Sequence, residues 1–304
     1  MKKTVLITGG SGLLALNWAL ATRDQYSVTL GLHKRKISLA GVETRQIDLE
    51  SVDHLIREFE TVRPQSVIHT AGLTNVEECE ARPDLARHVN VDLAANVAQA
   101  CAKLGLSLVH ISTDHLFAGD IPLVDEMQPA APRNVYGRTK AEAEVRVLEA
   151  HAGALVIRTN FYGWGPSYRC SFSDVIVGAL RSGKELTLFK DVFYTPILIE
   201  TAAQAVHDLI GLKANGIFHV VGGERISKYE FGLKITEGFS LAPGVIKPGF
   251  LADRPELVRR PQDMSLSNQK VCRLLGRKLG GITEHIARLL QQEQTGVAKE
   301  IQEL

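Results

Sequence analysis

Thr4-Val5-Leu6-Ile7-Thr8-Gly9-Gly10-Ser11-Gly12-Leu13-Leu14-Ala15, residues 4–15, passes from an unbroken apolar run into a glycine cluster and out into leucines. Four apolar residues ending in glycines read as a buried strand. Leu13, Leu14, Leu16 and Leu20 recur at helical spacing, so a helix follows at once. A strand, a tight glycine turn and a helix N-terminus form an anion cradle, because the first helical N–H groups and the helix dipole face outward. The frame is TGxxGxxA. Gly9 permits the turn, Gly12 lets backbone approach a pyrophosphate, and Ser11 and Leu13 flank it. The competing reading is an ordinary glycine-rich turn; the strand-to-helix context favours the phosphate site.

The same alternation continues along the chain. Strand candidates are 27–32, 44–47, 66–69, 106–111, 154–157 and 217–221. Helices are expected over 51–61, 92–103 and about 135–150, with Gly105 as the stop of the 92–103 helix. Strands alternating with helices imply a doubly wound parallel α/β sheet covered on both faces. After Arg158 the rhythm breaks, and Pro243, Pro248, Pro255 and Pro261 punctuate the later part. The expected division is residues 1–163 and 196–222 for the sheet domain. Residues 164–195 and 223–304 form a smaller C-terminal lobe.

Composition narrows the partner. The net charge is +1, which carries no basic excess for nucleic acid or an anionic membrane and leaves a small molecule. Cysteines 79, 101, 170 and 272 form no CxxC pair, and the ten histidines form no HxH or HExxH, so no metal site is expected and free thiols fit a reducing cytosol. The N-terminus superficially resembles a secretory signal. Thr8 to Gly12 interrupts its apolar stretch, however, whereas a signal needs a continuous core of roughly 7–15 residues. A cytoplasmic location is expected.

In a doubly wound sheet, ligands bind beyond the carboxyl ends of the strands. His33-Lys34-Arg35-Lys36 follows the second strand, where an NAD-selective site usually carries a carboxylate for the ribose. Basic residues suit a 2′-phosphate, so NADPH is favoured over NADH; a solvated basic loop is the alternative. Asp48 and Leu49 follow the third strand and are candidates for the adenine. Thr70-Ala71-Gly72 after the fourth is small enough for a cofactor to lie across. Asn90 is either a further cofactor contact or a helix N-cap. Ser112-Thr113-Asp114 after the fifth offers a hydroxyl to a substrate oxygen, or simply a cap.

Among six tyrosines, only Tyr136, in NVYGRTK (134–140), has a lysine four residues later. Residues four apart share a helix face. An ammonium beside a phenol lowers its pKa and lets it trade a proton near neutrality.

Together TGxxGxxA, STDHLFAG (112–119), PxNxYGRTKAEAE (132–144), LTNVEECEARPDLARHVN (73–90) and RRPQDMSL (259–266) resemble the extended short-chain dehydrogenase/reductase superfamily, in its dTDP-4-dehydrorhamnose reductase branch. The resemblance implies a Rossmann domain for NAD(P)H, a nucleotide-sugar lobe and a homodimer. It places Tyr136 as catalytic acid. Lys140 lowers the phenol's pKa and holds the nicotinamide ribose, with Thr113 beside the substrate carbonyl and Ser112 next to it. It implies substrate contacts at Thr74, Asp114, Asn160, Phe161 and Arg260, the last with a structural ion pair as its alternative. The chain departs from the branch at Ala15, His115 and Ala118. Its RTNFYG (158–163) is also one residue short and lacks a tryptophan, for which Phe161 or Trp164 is the substitute wall. The implied activity is NADPH-dependent reduction of a 4-keto-6-deoxy sugar nucleotide. Two alternatives are a non-catalytic NADP-binding regulatory subunit, as in methionine adenosyltransferase, and a nucleotide-sugar epimerase or dehydratase.

Overall fold

The computed structural model describes residues 2–304. All seven strand candidates become strands of one sheet, β3 being polar and mostly exposed. They are β1 (Lys3–Thr8), β2 (Tyr26–Leu32), β3 (Glu43–Gln46), β4 (Ser66–His69), β5 (Ser107–Thr113), β6 (Leu155–Thr159) and β7 (Gly216–His219). Their order is β7-β6-β5-β4-β1-β2-β3, and every pairing is parallel. Leu6, Ile7, Leu30, Ile68 and Val109 are fully buried, as strands covered on both faces require. The winding direction reverses between β1 and β4. A cleft opens there beyond the strand ends, because successive crossovers leave on opposite faces.

The helix Leu13–Thr22 is buried almost all round, not on one face. It is wedged between the sheet and the helix Ile199–Gly211, and the C-terminal helix Val297–Gln302 touches it too. That last helix buries Ala298 and Ile301 and is tied to the sheet domain by an Arg23–Glu300 ion pair of 2.6 Å. The helix Leu93–Leu104 ends at left-handed Gly105, φ 65°. Its start differs from expectation. A π-helical turn, His88–Asp92, joins it to the preceding short helix Pro83–Arg87, so Asn90 lies inside a continuous helical stretch and caps nothing.

The later segments build helices Phe172–Ser182, Lys228–Gly238 and Ile282–Gln294 around short strand pairs. One continuous core runs from Ile7 and Trp18 through Tyr162 and Trp164 to Phe231 and Leu289. Asn17 clamps the junction, donating to the Trp164 carbonyl at 2.7 Å and accepting from its N–H at 3.3 Å. Among the described residues, no helix is long and apolar enough to cross a membrane.

Candidate active site

A cleft of about 940 Å³ lies along the carboxyl ends of the central strands. Its floor is the glycine turn. Gly9 has φ 72°, and a Cβ there would stand 2.7 Å from the Ala71 nitrogen, so only glycine fits. Gly12 is the N-cap of Leu13–Thr22 and has no side chain to satisfy the helix N–H groups. A Cβ on Gly12 would meet only the Gly9 carbonyl, at 3.1 Å, so the space around it is the open cleft. These features fit a pyrophosphate resting on the first helical turn.

Most expected cofactor residues line this cleft: Gly9, Ser11, Gly12, Leu13, His33, Arg35, Asp48, Leu49, Thr70, Ala71 and Gly72. Lys34 and Asn90 do not. Lys34 is exposed. The Asn90 amide is consumed by the chain itself: Oδ1 accepts from Leu73 N at 2.7 Å, and Nδ2 donates to the Leu73 carbonyl and Thr139 Oγ1. It pins the loop after β4 onto the helix Val135–Ala150, a long-range role invisible in local sequence.

That helix carries Tyr136 and Lys140. It starts at Val135 because Asn134 caps it, Oδ1 accepting from Gly137 N at 2.9 Å. Gly137 lets the helix approach the loop after β5, since a Cβ there would lie 2.5 Å from the His115 carbonyl. Overpacking against backbone costs about 1–3 kcal/mol. Gly137→Ala is therefore expected to lower the unfolding free energy by that amount. Denaturant titration reads the effect.

Tyr136 and Thr113 are nearly buried at the cleft wall. Burial pushes the Tyr136 phenol up to about 12, opposed mainly by a hydrogen bond with Thr113. The Lys140 ammonium does not do what its spacing suggested. It donates to the Ile111 carbonyl at 2.7 Å and lies 3.3 Å from His110 Nε2, so its charge is drawn toward β5 and away from the phenol. Burial lowers Lys140 to about 8.

His110 is an unforeseen member of the site. Parallel register places it beside His69, and the rings stack with centroids 5.5 Å apart. His69 Nδ1 sits 2.8 Å from Thr8 Oγ1. Burial, together with the Lys140 charge, holds His110 well below the usual range and His69 down to about 3. A neutral His110 can accept from Lys140. Searching histidines only for metal spacing missed this pair. The matched runs SVIH, the whole of β4, and SLVH, the start of β5, were the available signal.

Ser112 lines the cleft, but its hydroxyl donates to Glu144 Oε1 at 2.5 Å. Thr113 Oγ1 donates to Asp114 Oδ1 at 3.2 Å, and Asn160 Nδ2 donates to Asp114 Oδ2 at 2.5 Å. Asp114, Asn160, Phe161 and Thr74 all line the cleft. Trp164 is core: it is 1% exposed and its indole N–H donates to the Leu289 carbonyl. Of the two candidate walls, only Phe161 faces the cleft. Arg260 does not line it and is paired with Glu77. Lys228 was not anticipated. Its ammonium lies 3.3 Å from the centroid of the Tyr194 ring and 4.9 Å from that of Phe172, and burial lowers it to about 8 against the opposing Asp114 charge.

A switch-point cleft with a bare glycine turn at one end and a buried Thr/Tyr/Lys group at the other defines an extended short-chain dehydrogenase/reductase. Comparison with known proteins refines the class. Residues 1–295 match the family model described as RmlD substrate binding domain, and the chain belongs to that family. It is 29% identical over 279 residues to methionine adenosyltransferase 2 subunit beta of Pongo abelii, covering 88% of this chain and 81% of that one. A probable low-salt glycan biosynthesis reductase of Haloferax volcanii is 26% identical, over 93% and 96% of the two chains. The crystal structure of dTDP-4-dehydrorhamnose reductase from Bacillus anthracis in complex with NADP superposes with a TM-score of 0.85 at 26% identity, over 96% and 100%.

Proposed function

We propose that this chain reduces the keto group of a 4-keto-6-deoxy sugar nucleotide with NADPH. The observation that carries the reading is the meeting of the glycine turn, Arg35 and the Thr113/Tyr136/Lys140 group in one cleft. NADPH, when bound, supplies a hydride to the carbonyl carbon. Tyr136 Oη donates to the carbonyl oxygen and its proton passes to that oxygen, completing the alcohol; Thr113, whose own proton lies on Asp114, stands beside the carbonyl and positions the Tyr136 hydroxyl. Lys140, held by the Ile111 carbonyl, keeps a positive charge at the cleft wall, where it holds the nicotinamide ribose. Asp114 and Asn160, locked together, fix the Thr113 hydroxyl. Arg35 and His33 receive the cofactor's 2′-phosphate; Gly9, Gly12 and the first helical turn receive its pyrophosphate. Asp48 and Leu49 border the adenine, and Thr70, Ala71 and Gly72 let the cofactor lie flat. Thr74 and Phe161 border the sugar nucleotide.

The test is NADPH oxidation by the purified protein with dTDP-4-keto-6-deoxyglucose, with and without a 3,5-epimerase. Turnover in either arm supports the reading. No turnover alongside tight NADPH binding rejects this substrate and favours a second reading, a non-catalytic NADP-binding regulatory subunit. The likeness to a protein named as a methionine adenosyltransferase subunit supports that alternative. Stable co-purification with a larger enzyme would decide for it.

A further inference from the structure

The turn Ser167–Arg169, from the C-terminal lobe, reaches across the cofactor end of the cleft. It is firmly held. Asp174 Oδ2 accepts from Gly165 N and Ser171 N, each at 2.7 Å, so both ends of the turn are fixed to the start of the helix Phe172–Ser182. Arg169 N donates to the Pro166 carbonyl at 2.9 Å and closes the turn. From this mount two side chains cross to the sheet domain. The Tyr168 hydroxyl donates to the Ser11 carbonyl at 2.8 Å, within the glycine turn. Arg169 Nη2 donates to Thr74 Oγ1 at 2.6 Å, beyond β4.

Tyr168 has a second contact. The Arg35 guanidinium carbon lies 3.7 Å from the centroid of its ring. Arg35 stands in an exposed, irregular stretch after β2, and among the described residues its guanidinium has no hydrogen-bond partner in the protein. A guanidinium held by its face keeps its N–H donors free along its edge, the geometry that forks onto a phosphate. An arginine on an exposed loop otherwise loses rotamer freedom each time it binds, and a ring beneath it removes part of that cost.

We propose that Tyr168 is the positioning residue that sets cofactor preference: it holds Arg35 over the site of the adenosine 2′-phosphate and so favours NADPH over NADH. The proposal rests on the reading of Arg35 as the 2′-phosphate ligand. It adds a determinant from the opposite lobe, 133 residues away in sequence from the loop it governs.

The experiment is calorimetric measurement of NADPH and NADH dissociation constants for the wild type, Tyr168→Leu, Tyr168→Phe and Arg35→Ala. Tyr168→Leu is expected to weaken NADPH roughly three- to tenfold, the scale of a partly exposed cation–π contact, and to leave NADH unchanged. Tyr168→Phe keeps the ring and should keep the wild-type ratio of the two constants. Arg35→Ala should lower the ratio at least as far as Tyr168→Leu. An equal loss for both cofactors in Tyr168→Leu would make the turn a general support and overturn the proposal. A collapsed ratio in Tyr168→Phe would assign the effect to the hydroxyl and overturn it as well. If Arg35→Ala alone lowers the ratio, only the role of Tyr168 fails. If Arg35→Ala leaves the ratio unchanged, the 2′-phosphate reading fails with it.

Discussion

Tyr136→Phe is expected to cut turnover with the keto-sugar nucleotide by about 10²–10⁴-fold, the usual worth of a positioned general acid. NADPH affinity should stay near the wild-type value. The ring itself packs edge-on to His115, with centroids 5.5 Å apart, and phenylalanine preserves that contact. Only the hydroxyl that meets Thr113 is lost. Single-turnover kinetics with bound NADPH isolates the chemical step, and calorimetry reads the cofactor. Unchanged turnover would reject Tyr136 as the acid. A large loss of NADPH affinity would mean that the substitution had disturbed the fold of the cleft.

The pH dependence of the proposed reduction follows from Tyr136 and Lys140. Reduction needs the phenol protonated, and burial keeps it so to about 12. It also needs the Lys140 charge, which is lost as the pH rises through about 8. The rate of reduction should therefore be flat near neutrality and fall above about 8, with Lys140 and not Tyr136 setting the limb. Lys140→Arg keeps its charge at any accessible pH, so whatever activity it retains should lack that limb.

How much of this was legible before the fold was known differs by residue, for physical reasons. The sheet strands other than the polar edge strand β3 are short, apolar and largely buried, so composition and period found them. The glycine turn and Asn134-Val135-Tyr136-Gly137 obey local rules, namely positive φ, a cap and a four-residue spacing. What failed was long-range. Lys140 shares a helix face with Tyr136, yet its longer chain finds the Ile111 carbonyl on another element. Asn90 fits an N-cap by type but serves Leu73 and Thr139. For Arg260 the ion pair named as its alternative is the one found, with a partner, Glu77, that the sequence did not identify. Tyr168 reaches the site from the C-terminal lobe, whose irregular course no periodicity announces.

Removing Glu144 should produce the largest loss of stability. It sits one turn after Lys140, and its carboxylate takes the Arg158 guanidinium at 2.6 Å and 2.9 Å and the Ser112 hydroxyl at 2.5 Å. Both charged side chains are 5% exposed. Arg158 also lies 3.4 Å from His219 Nε2; that imidazole is lowered to about 3, first by burial and then by the Arg158 charge. It therefore cannot share the positive charge or replace the carboxylate. Glu144→Ala thus leaves a guanidinium buried without a counter-charge, which costs about 3–5 kcal/mol. The double variant Glu144→Leu/Arg158→Met removes both charges and should recover most of that loss in denaturant titration, since a paired buried charge is near neutral against an apolar replacement. Glu144→Gln also leaves Arg158 without its counter-charge, so the pH limb, and not stability, separates structure from chemistry. The substitution keeps the shape and removes the negative charge that raises Lys140 against its burial. The Lys140 ammonium then loses support, its proton leaves at lower pH, and the alkaline limb should move toward neutrality. A stability loss without that movement would confine the pair to joining β6 to the helix Val135–Ala150. Movement of the limb would make it part of the machinery that keeps Lys140 charged.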